Sequence, residues 1–338
     1  MKKQGYFKDT LKTKIEGKKI LILGGLGMIG SNLASKLVNL EAEVTIVDAF
    51  IEPFGANFFN INDFKDKVDV SITDIRDREA MKVLVKDKDI IFNLAGQISH
   101  NDSIEDPLLD ADLNYIGHLN VMESVRKYNP KAKVIFSGSR LQFGSINTIP
   151  VDENHPLNPR TPYALNKTAS EQMYKYYYNV YDIQTVVFRI ANPYGIRCQM
   201  KHSKYSIVNF FIKQAMQNSI IKVFGDGKQI RDYIYVEDLI NAFILASIND
   251  LSNGETYNIG SGKGTSFINM VEIIIDVVKS GKIEFVSWPN NYLNVETGDY
   301  ITDITKITSQ LKWKPFFEIQ EGIQKSYDYY KKYLDYYI

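Results

Sequence analysis

A tyrosine and a lysine stand four residues apart in Tyr163-Ala164-Leu165-Asn166-Lys167. On a helix that spacing puts both side chains on one face, one turn apart. A phenol titrates near pH 10 on its own, so it is a poor base at neutral pH. A neighbouring ammonium favours the phenolate, and a cationic cofactor ring would act in the same direction. The pair is a candidate proton-transfer device beside a redox cofactor. Thr161-Pro162 supply an N-cap and a first-turn proline, so a helix starting there carries Tyr163 in its first turn. Solvated helices carry the same spacing by chance, so the surroundings decide.

Three of those surroundings point the same way. The apolar run Lys19-Ile20-Leu21-Ile22-Leu23 leads into Gly24-Gly25-Leu26-Gly27-Met28-Ile29-Gly30, and a helical pattern follows. Glycines there permit a tight turn and bring backbone amides and a helix N-terminus close to a pyrophosphate; an ordinary glycine-rich turn is the bland alternative. A second run, Val44-Thr45-Ile46-Val47, ends at Asp48, about 20 residues downstream, where a ribose-binding carboxylate is expected. An acid there accepts from the adenosine ribose hydroxyls and repels a 2′-phosphate. No arginine follows directly (Ala49-Phe50), so NAD is favoured over NADP. Third, a run ending in Phe136-Ser137-Gly138-Ser139 lies twenty-four residues before Tyr163. A hydroxyl at the carboxyl end of a parallel strand faces the ligand crevice, where Ser139 could hold a substrate hydroxyl and share its proton with Tyr163. A Ser/Gly turn is the plainer reading.

Weaker candidates flank these. Asp74-Ile75 could meet an adenine amino group, or be a solvated part of Asp74-Ile75-Arg76-Asp77-Arg78. Asn93-Leu94-Ala95-Gly96 ends a strand in small residues suited to backbone running beside a cofactor. Asn114 is either a positioning residue or a packing amide. Cys198 has no neighbour that marks an activated thiol.

The elements that must position these groups read as β-α alternation from residue 19. Strands are predicted at 19–24, 43–48, 68–71, 90–94, 133–137 and 184–189, as short apolar runs buried on both faces. Helices are predicted at 28–40, 79–85, 107–128 and 161–181. The expectation is an α/β fold, a doubly wound parallel (Rossmann) sheet over residues 18–191, preceded by a polar arm over 1–17. From 192 to 338 a smaller α/β substrate lobe is expected, with helices at 207–218, 236–248 and 267–278 and some chain returning to the first domain. The crevice between the lobes is the expected ligand site.

Composition sets outer bounds. The 338 residues carry 40 basic and 40 acidic side chains, which removes the global charge argument for nucleic acid or anionic membrane. A single cysteine excludes an intrachain disulfide framework and fits a reducing compartment. No apolar run long enough to span a bilayer and no signal-peptide core is present, so a soluble cytoplasmic protein is expected, with no metal site.

At this point the chain resembles the extended short-chain dehydrogenase/reductases, specifically the NAD-dependent nucleotide-sugar epimerase/dehydratase family. The resemblance runs from Gly17 to about Tyr330 and is carried by the glycine turn, Asp48, 93–96, 137–144 and the Tyr163/Lys167 pair. Second-lobe segments carry it too: Asn192-Pro193-Tyr194-Gly195, Phe224-Gly225-Asp226-Gly227, Arg231-Asp232-Tyr233 and Tyr257-Asn258-Ile259-Gly260. It implies Ser139, Tyr163 and Lys167 as the catalytic set. NAD would be held by Gly24, Gly27, Met28, Ile29, Gly30, Asp48, Asp74, Ile75, Leu94, Ala95, Gly96 and Asn114, together with Tyr163 and Lys167. Substrate would meet Ser139, Arg140, Asn192, Lys201 and Arg231. Arg231 suits a diphosphate; otherwise it pairs with Asp232 or Asp226. Lys201, with His202 and Lys204, is equally a solvated basic loop.

Departures from the family pattern narrow the reaction. In the 4,6-dehydratases the hydroxyl residue is followed by an Asp-Glu pair that removes water, whereas Arg140-Leu141 follow Ser139. The glutamate of the nucleotide-sugar decarboxylases is missing too. Glu296-Thr297-Gly298-Asp299 stands where many members carry an arginine before Gly-Asp. The expectation is an NAD-dependent epimerase of a UDP- or related sugar nucleotide, acting at C4. A 4-keto-sugar reductase is the nearest rival, and a non-catalytic dinucleotide-binding protein the more distant one. A homodimer is expected through helices 107–128 and 162–181, where the cluster Tyr174, Tyr176, Tyr177, Tyr178 fits an interface or a core face.

Overall fold

A computed structural model describes residues 11–52, 54–289 and 296–338. Seven parallel strands form the central sheet: β1 (Lys19–Leu23), β2 (Glu43–Asp48), β3 (Val68–Ile72), β4 (Ile90–Asn93), β5 (Lys133–Ser139), β6 (Thr185–Ile190) and β7 (Thr256–Ile259). Their order is β3-β2-β1-β4-β5-β6-β7. The order reverses between β1 and β4, and such a switch point opens a crevice at the carboxyl ends of the strands. The central strands are apolar because helices cover both faces. Ile20 through Leu23 and Phe92 are fully buried, while edge strand β3 leaves Ile72 half exposed.

The helices include α1 (Met28–Val38), α2 (Arg78–Leu84), α3 (Gly117–Tyr128), α4 (Pro162–Tyr181), α5 (Ile207–Met216), α6 (Val236–Ser247), α7 (Phe267–Val278) and α8 (Ile319–Tyr333). The sequence pattern predicts one helix over 107–128, but the structure breaks it. A short helix, Pro107–Ala111, passes through one wide π turn, Asp112–Ile116, before α3. The extra residue in that turn shifts the helical phase, and such insertions often mark functional sites. Gly117 follows, where a Cβ would come within 2.6 Å of Ile75, so helix and cofactor-side loop press together there.

The polar arm expected over 1–17 falls partly outside the described residues. Residues 11–15 are helical, and Leu11 and Ile15 are buried in the core. In the second region, strands Ile220–Phe224 and Lys282–Val286 pair in parallel; α5 and α7 pack on the first of them, and α8 packs on α5 and α7. The chain also returns: β7 extends the main sheet beside β6, and α6 packs on α1 and β5. Asp238 of α6 accepts from the backbone N–H groups of Phe316 and Phe317, tying the C-terminal segment down.

Candidate active site

The glycine turn is shaped by two different demands. A Cβ on Gly30 would lie 2.3 Å from the Gly24 carbonyl oxygen, and one on Gly24, at φ +80°, would lie 2.8 Å from the Ala95 nitrogen. These glycines are required by close approach of backbone to backbone. Gly27 differs: the nearest atom to its added Cβ is 3.6 Å away, so the protein itself leaves that space open. Gly27 caps α1 with no side-chain hydrogen bond, and it lines the cavity together with Met28, Ile29 and Gly30, whose amides have no intrahelical partner. That is the geometry of a pyrophosphate cradle.

Asp48, at the end of β2, is fixed in place. Its two oxygens accept from the backbone amides of Leu26 and Phe50, each at 3.0 Å. Burial pushes its carboxyl above the ordinary value, and the two amides oppose that. Met28, Ile29, Leu94 and Ala95 line the same cavity, as do Asp74 and Ile75. Asp74 is also engaged bidentately by Arg76, with the shortest contact 2.6 Å. The residues present fit an NAD molecule. Asp48→Ala removes a charged acceptor worth about 1.5–3 kcal/mol. The expected result is a roughly 10- to 100-fold rise in the NAD dissociation constant, measured by calorimetry, with a smaller rise for NADP.

The cavity, about 400 Å³, continues past Gly96 to Ser139, Arg140, Tyr163, Lys167 and Asn192. Thr161 caps α4 by accepting from the Ala164 N–H at 3.2 Å, and Ser103 accepts from the Tyr163 N–H at 3.1 Å. The first turn of α4 is therefore held from both sides. Ser139 ends β5 opposite Ile190 of β6; its hydroxyl accepts from the Leu141 N–H at 3.2 Å and acts to lower the Tyr163 phenol. Its backbone N–H donates to Gln142 Oε1 at 2.7 Å; Gln142 Nε2 in turn donates to the buried carboxylate of Glu171 at 2.7 Å.

Burial dominates the charges here. It pushes the Tyr163 phenol up to about 12; the Ser139 hydrogen bond opposes this and Asp110 adds to it. Burial pushes the Lys167 ammonium down to about 8, with Asp110 acting the other way. The expected lowering of the phenol by Lys167 is not among the influences that set it here; burial, Ser139 and Asp110 are. Positive charge brought beside the phenol is what ionises it.

Three residues expected at ligands stand outside the cavity wall. Asn114, in the π turn, donates to the Gln97 carbonyl and to Asp110, each at 2.9 Å. It backs Gly96, where a Cβ would meet its Oδ1 at 2.4 Å. Arg231 pairs with neither Asp232 nor Asp226; it binds Glu296 at 2.5 Å and the Gly298 carbonyl at 3.0 Å. Lys201 donates its backbone N–H to Gln199 and does not line the cavity that Ser139, Tyr163 and Lys167 share. Asn192, by contrast, lines the cavity.

Two groups were not singled out by sequence reasoning. His100 lines the cavity, with its imidazole pushed down by burial and then by Arg140. Its only signal was proximity to the strand end at 93–96. His118 is fully buried behind Ala95, with ring nitrogens 3.1 Å from the Ala95 oxygen and from the Tyr174 hydroxyl. Burial keeps it neutral, so it stiffens the cofactor wall without adding charge. Cys198 lines the cavity, its thiol pushed up to about 12 by burial; it is inert at neutral pH.

Comparison with known proteins agrees with this geometry. The family model described as GDP-mannose 4,6 dehydratase matches residues 21–326. A Methanocaldococcus jannaschii protein provisionally named a UDP-glucose 4-epimerase is 34% identical over 313 residues, covering 92% of this chain and 98% of that one. The UDP-glucose 4-epimerase of Mycolicibacterium smegmatis is 30% identical, covering 93% of this chain and 98% of that one. Among solved structures, the UDP-glucose 4-epimerase of Thermotoga maritima with UDP-glucose superposes with a TM-score of 0.86 at 28% identity, covering 94% and 99% of the two chains. The chain belongs to the NAD-dependent nucleotide-sugar epimerase/dehydratase family of extended short-chain dehydrogenase/reductases.

Proposed function

We propose that this protein interconverts C4 epimers of a UDP- or related nucleotide sugar. One observation carries the reading. Ser139, Tyr163 and Lys167 converge on the cavity that Gly27 and Asp48 open, and the residues after Ser139 are Arg140-Leu141, not an acidic pair. That set suffices to oxidise a sugar hydroxyl reversibly and lacks the acid needed to expel water.

NAD in the cradle would supply hydride acceptance and return. The protein's part is proton movement and orientation. Tyr163 takes the proton of the sugar hydroxyl at its phenolic oxygen and later gives it back; Ser139 holds that oxygen and relays hydrogen bonding to the phenol. Lys167 is a buried cation whose Nζ lies 5.1 Å from the centre of the Phe136 ring. With the cofactor's positive charge it favours the phenolate and holds the nicotinamide ribose. Mixing purified protein with NAD and UDP-glucose should yield UDP-galactose by NMR with no net absorbance change at the NADH wavelength. Stoichiometric NADH oxidation on a 4-keto sugar, with no interconversion, would establish the reductase in its place.

The assembly is read as a homodimer of a cytoplasmic enzyme. The tyrosine cluster divides between core and surface: Tyr174 stacks on Phe136 at 4.7 Å and Tyr177 donates to Glu123, but Tyr176 is half exposed. Leu165, Tyr176 and Val180, spaced eleven and then four residues along α4, present one apolar stripe, and Leu108 is exposed nearby. A second copy covers this stripe well because a two-fold axis brings α4 against α4. Light scattering should give twice the chain mass, and the double variant Tyr176→Glu, Val180→Glu should give a monomer. A monomeric parent protein would refute the dimer.

A further inference from the structure

Arg140 is the cation next to the catalytic serine, and among the described residues its guanidinium forms no ion pair. The short turn Arg140–Phe143 is pinned by Ser139 and Gln142, which exchange hydrogen bonds as a capping box, so the Arg140 backbone is rigidly placed. From there the guanidinium reaches across the cavity wall. Nε donates to Asn192 Oδ1 at 3.2 Å and Nη1 to Thr297 Oγ1 at 3.0 Å, and the group lies 5.4 Å from the centre of the Tyr300 ring. Both acceptors are neutral. Among the described residues no carboxylate lies within ion-pair distance, and nothing accepts from Nη2.

The nearest candidate, Glu296, is committed elsewhere. It binds Arg231 and accepts from the backbone amides of Thr297 and Gly298, each at 3.0 Å. Arg231 adds like charge to the same region, and burial together with that charge brings Arg140 down to about 10, still cationic at neutral pH. A half-buried guanidinium held only by neutral partners keeps its charge available for an anion in the cavity it lines.

We propose that Arg140 recognises a carboxylate on the sugar ring, making this chain selective for nucleotide sugars of the hexuronic acid class over neutral hexoses. This rests on the nucleotide-sugar reading above. Two anionic groups could enter the cavity, the diphosphate and an acidic sugar substituent. Arg140 follows directly on Ser139, which holds the reacting sugar oxygen, so it stands at the sugar end. The amide of Asn192 is bonded at both ends, to Arg140 and, through Nδ2 at 2.8 Å, to the Asp232 carbonyl. The planar fork, with Nη2 unengaged, suits a carboxylate bidentately.

The test compares glucuronic acid with glucose, each presented as the uridine and the thymidine diphosphate derivative, by calorimetry on NAD-loaded protein and by turnover. The parent protein should favour the acidic sugar by roughly tenfold or more. Arg140→Gln should lower the acid-to-neutral ratio by at least about tenfold, the loss expected for one charged hydrogen-bond pair. Arg140→Lys, which keeps charge without the fork, should retain part of the preference. NAD affinity measured on the same samples reports that the variants are folded. An unchanged ratio with both sugars weakened together would place Arg140 on the diphosphate and overturn the proposal, as would a parent preference for the neutral sugar. Selective binding without conversion would overturn the epimerase reading and leave the acid selectivity standing.

Discussion

Tyr163→Phe is expected to lower kcat by about 10²–10⁴-fold, the range for loss of a positioned general acid–base group. NAD affinity should change little, because the variant keeps the ring and the glycine cradle is untouched. The cause is specific. Tyr163 is 7% exposed, lines the cavity with Ser139, and sits in the first turn of a helix capped by Thr161. Lys167→Met should act through the same group. Removing a cation disfavours the phenolate, so the rising limb of the pH–rate profile should move to higher pH. A limb that stays in place in Lys167→Met would mean that the lysine serves binding alone.

The largest stability effect is expected at Glu171, a fully buried carboxylate one turn beyond Lys167 on the same helix. It accepts from Arg189 at 2.6 and 2.9 Å, from Lys175 at 2.8 Å and from Gln142 at 2.7 Å. Glu171→Ala leaves the Arg189 guanidinium buried without its counter-charge, which costs about 3–5 kcal/mol. For a chain of this size that corresponds to a Tm lower by roughly 5 °C. The pH dependence has a definite sign. Burial raises the Glu171 carboxyl, but hydrogen bonding and charge from Arg189 and Lys175 outweigh it, and the net shift is below the ordinary 4.5. A depressed carboxyl contributes stability that is complete above its unfolded value and lost as pH falls through the folded one. The gap in urea midpoint between parent and Glu171→Ala should therefore be full at pH 7 and shrink in acid below 4.5. A gap that is constant with pH would contradict the charge assignment.

The parts of the site that the sequence displayed are those governed by local rules. Gly24, Gly27 and Gly30, Asp48 at a strand end, and Tyr163/Lys167 on a capped helix each follow from spacing within a few residues. The β-α alternation was legible for the same reason, since buried parallel strands are short apolar runs. What stayed hidden depends on distant partners. Glu296 meets Arg231 across sixty-five residues, and Gln142 joins Ser139 to Glu171 only once β5 and α4 are packed. The π turn at Asp112–Ile116 adds one residue to a helical pattern that otherwise reads as continuous. The pairs Asn192–Tyr194 with Tyr233–Tyr235 and Ile230–Arg231 with Thr265–Ser266 are two or three residues long, below what a period-two pattern can reveal. Leu11 and Ile15 carry the same lesson: two apolar residues in a lysine-rich stretch became core because the sheet offered them a face.

The most direct test of the central claim is the fate of the hydrogen at C4. Sugar nucleotide deuterated at C4 is converted by NAD-loaded protein in ordinary water, and product is read by NMR and mass. If Tyr163 moves only the hydroxyl proton while hydride leaves and returns within one site, the product is the C4 epimer with its deuterium retained and no NADH accumulates. Deuterium washed out into solvent, or a product formed only with stoichiometric consumption of NADH, would contradict the account.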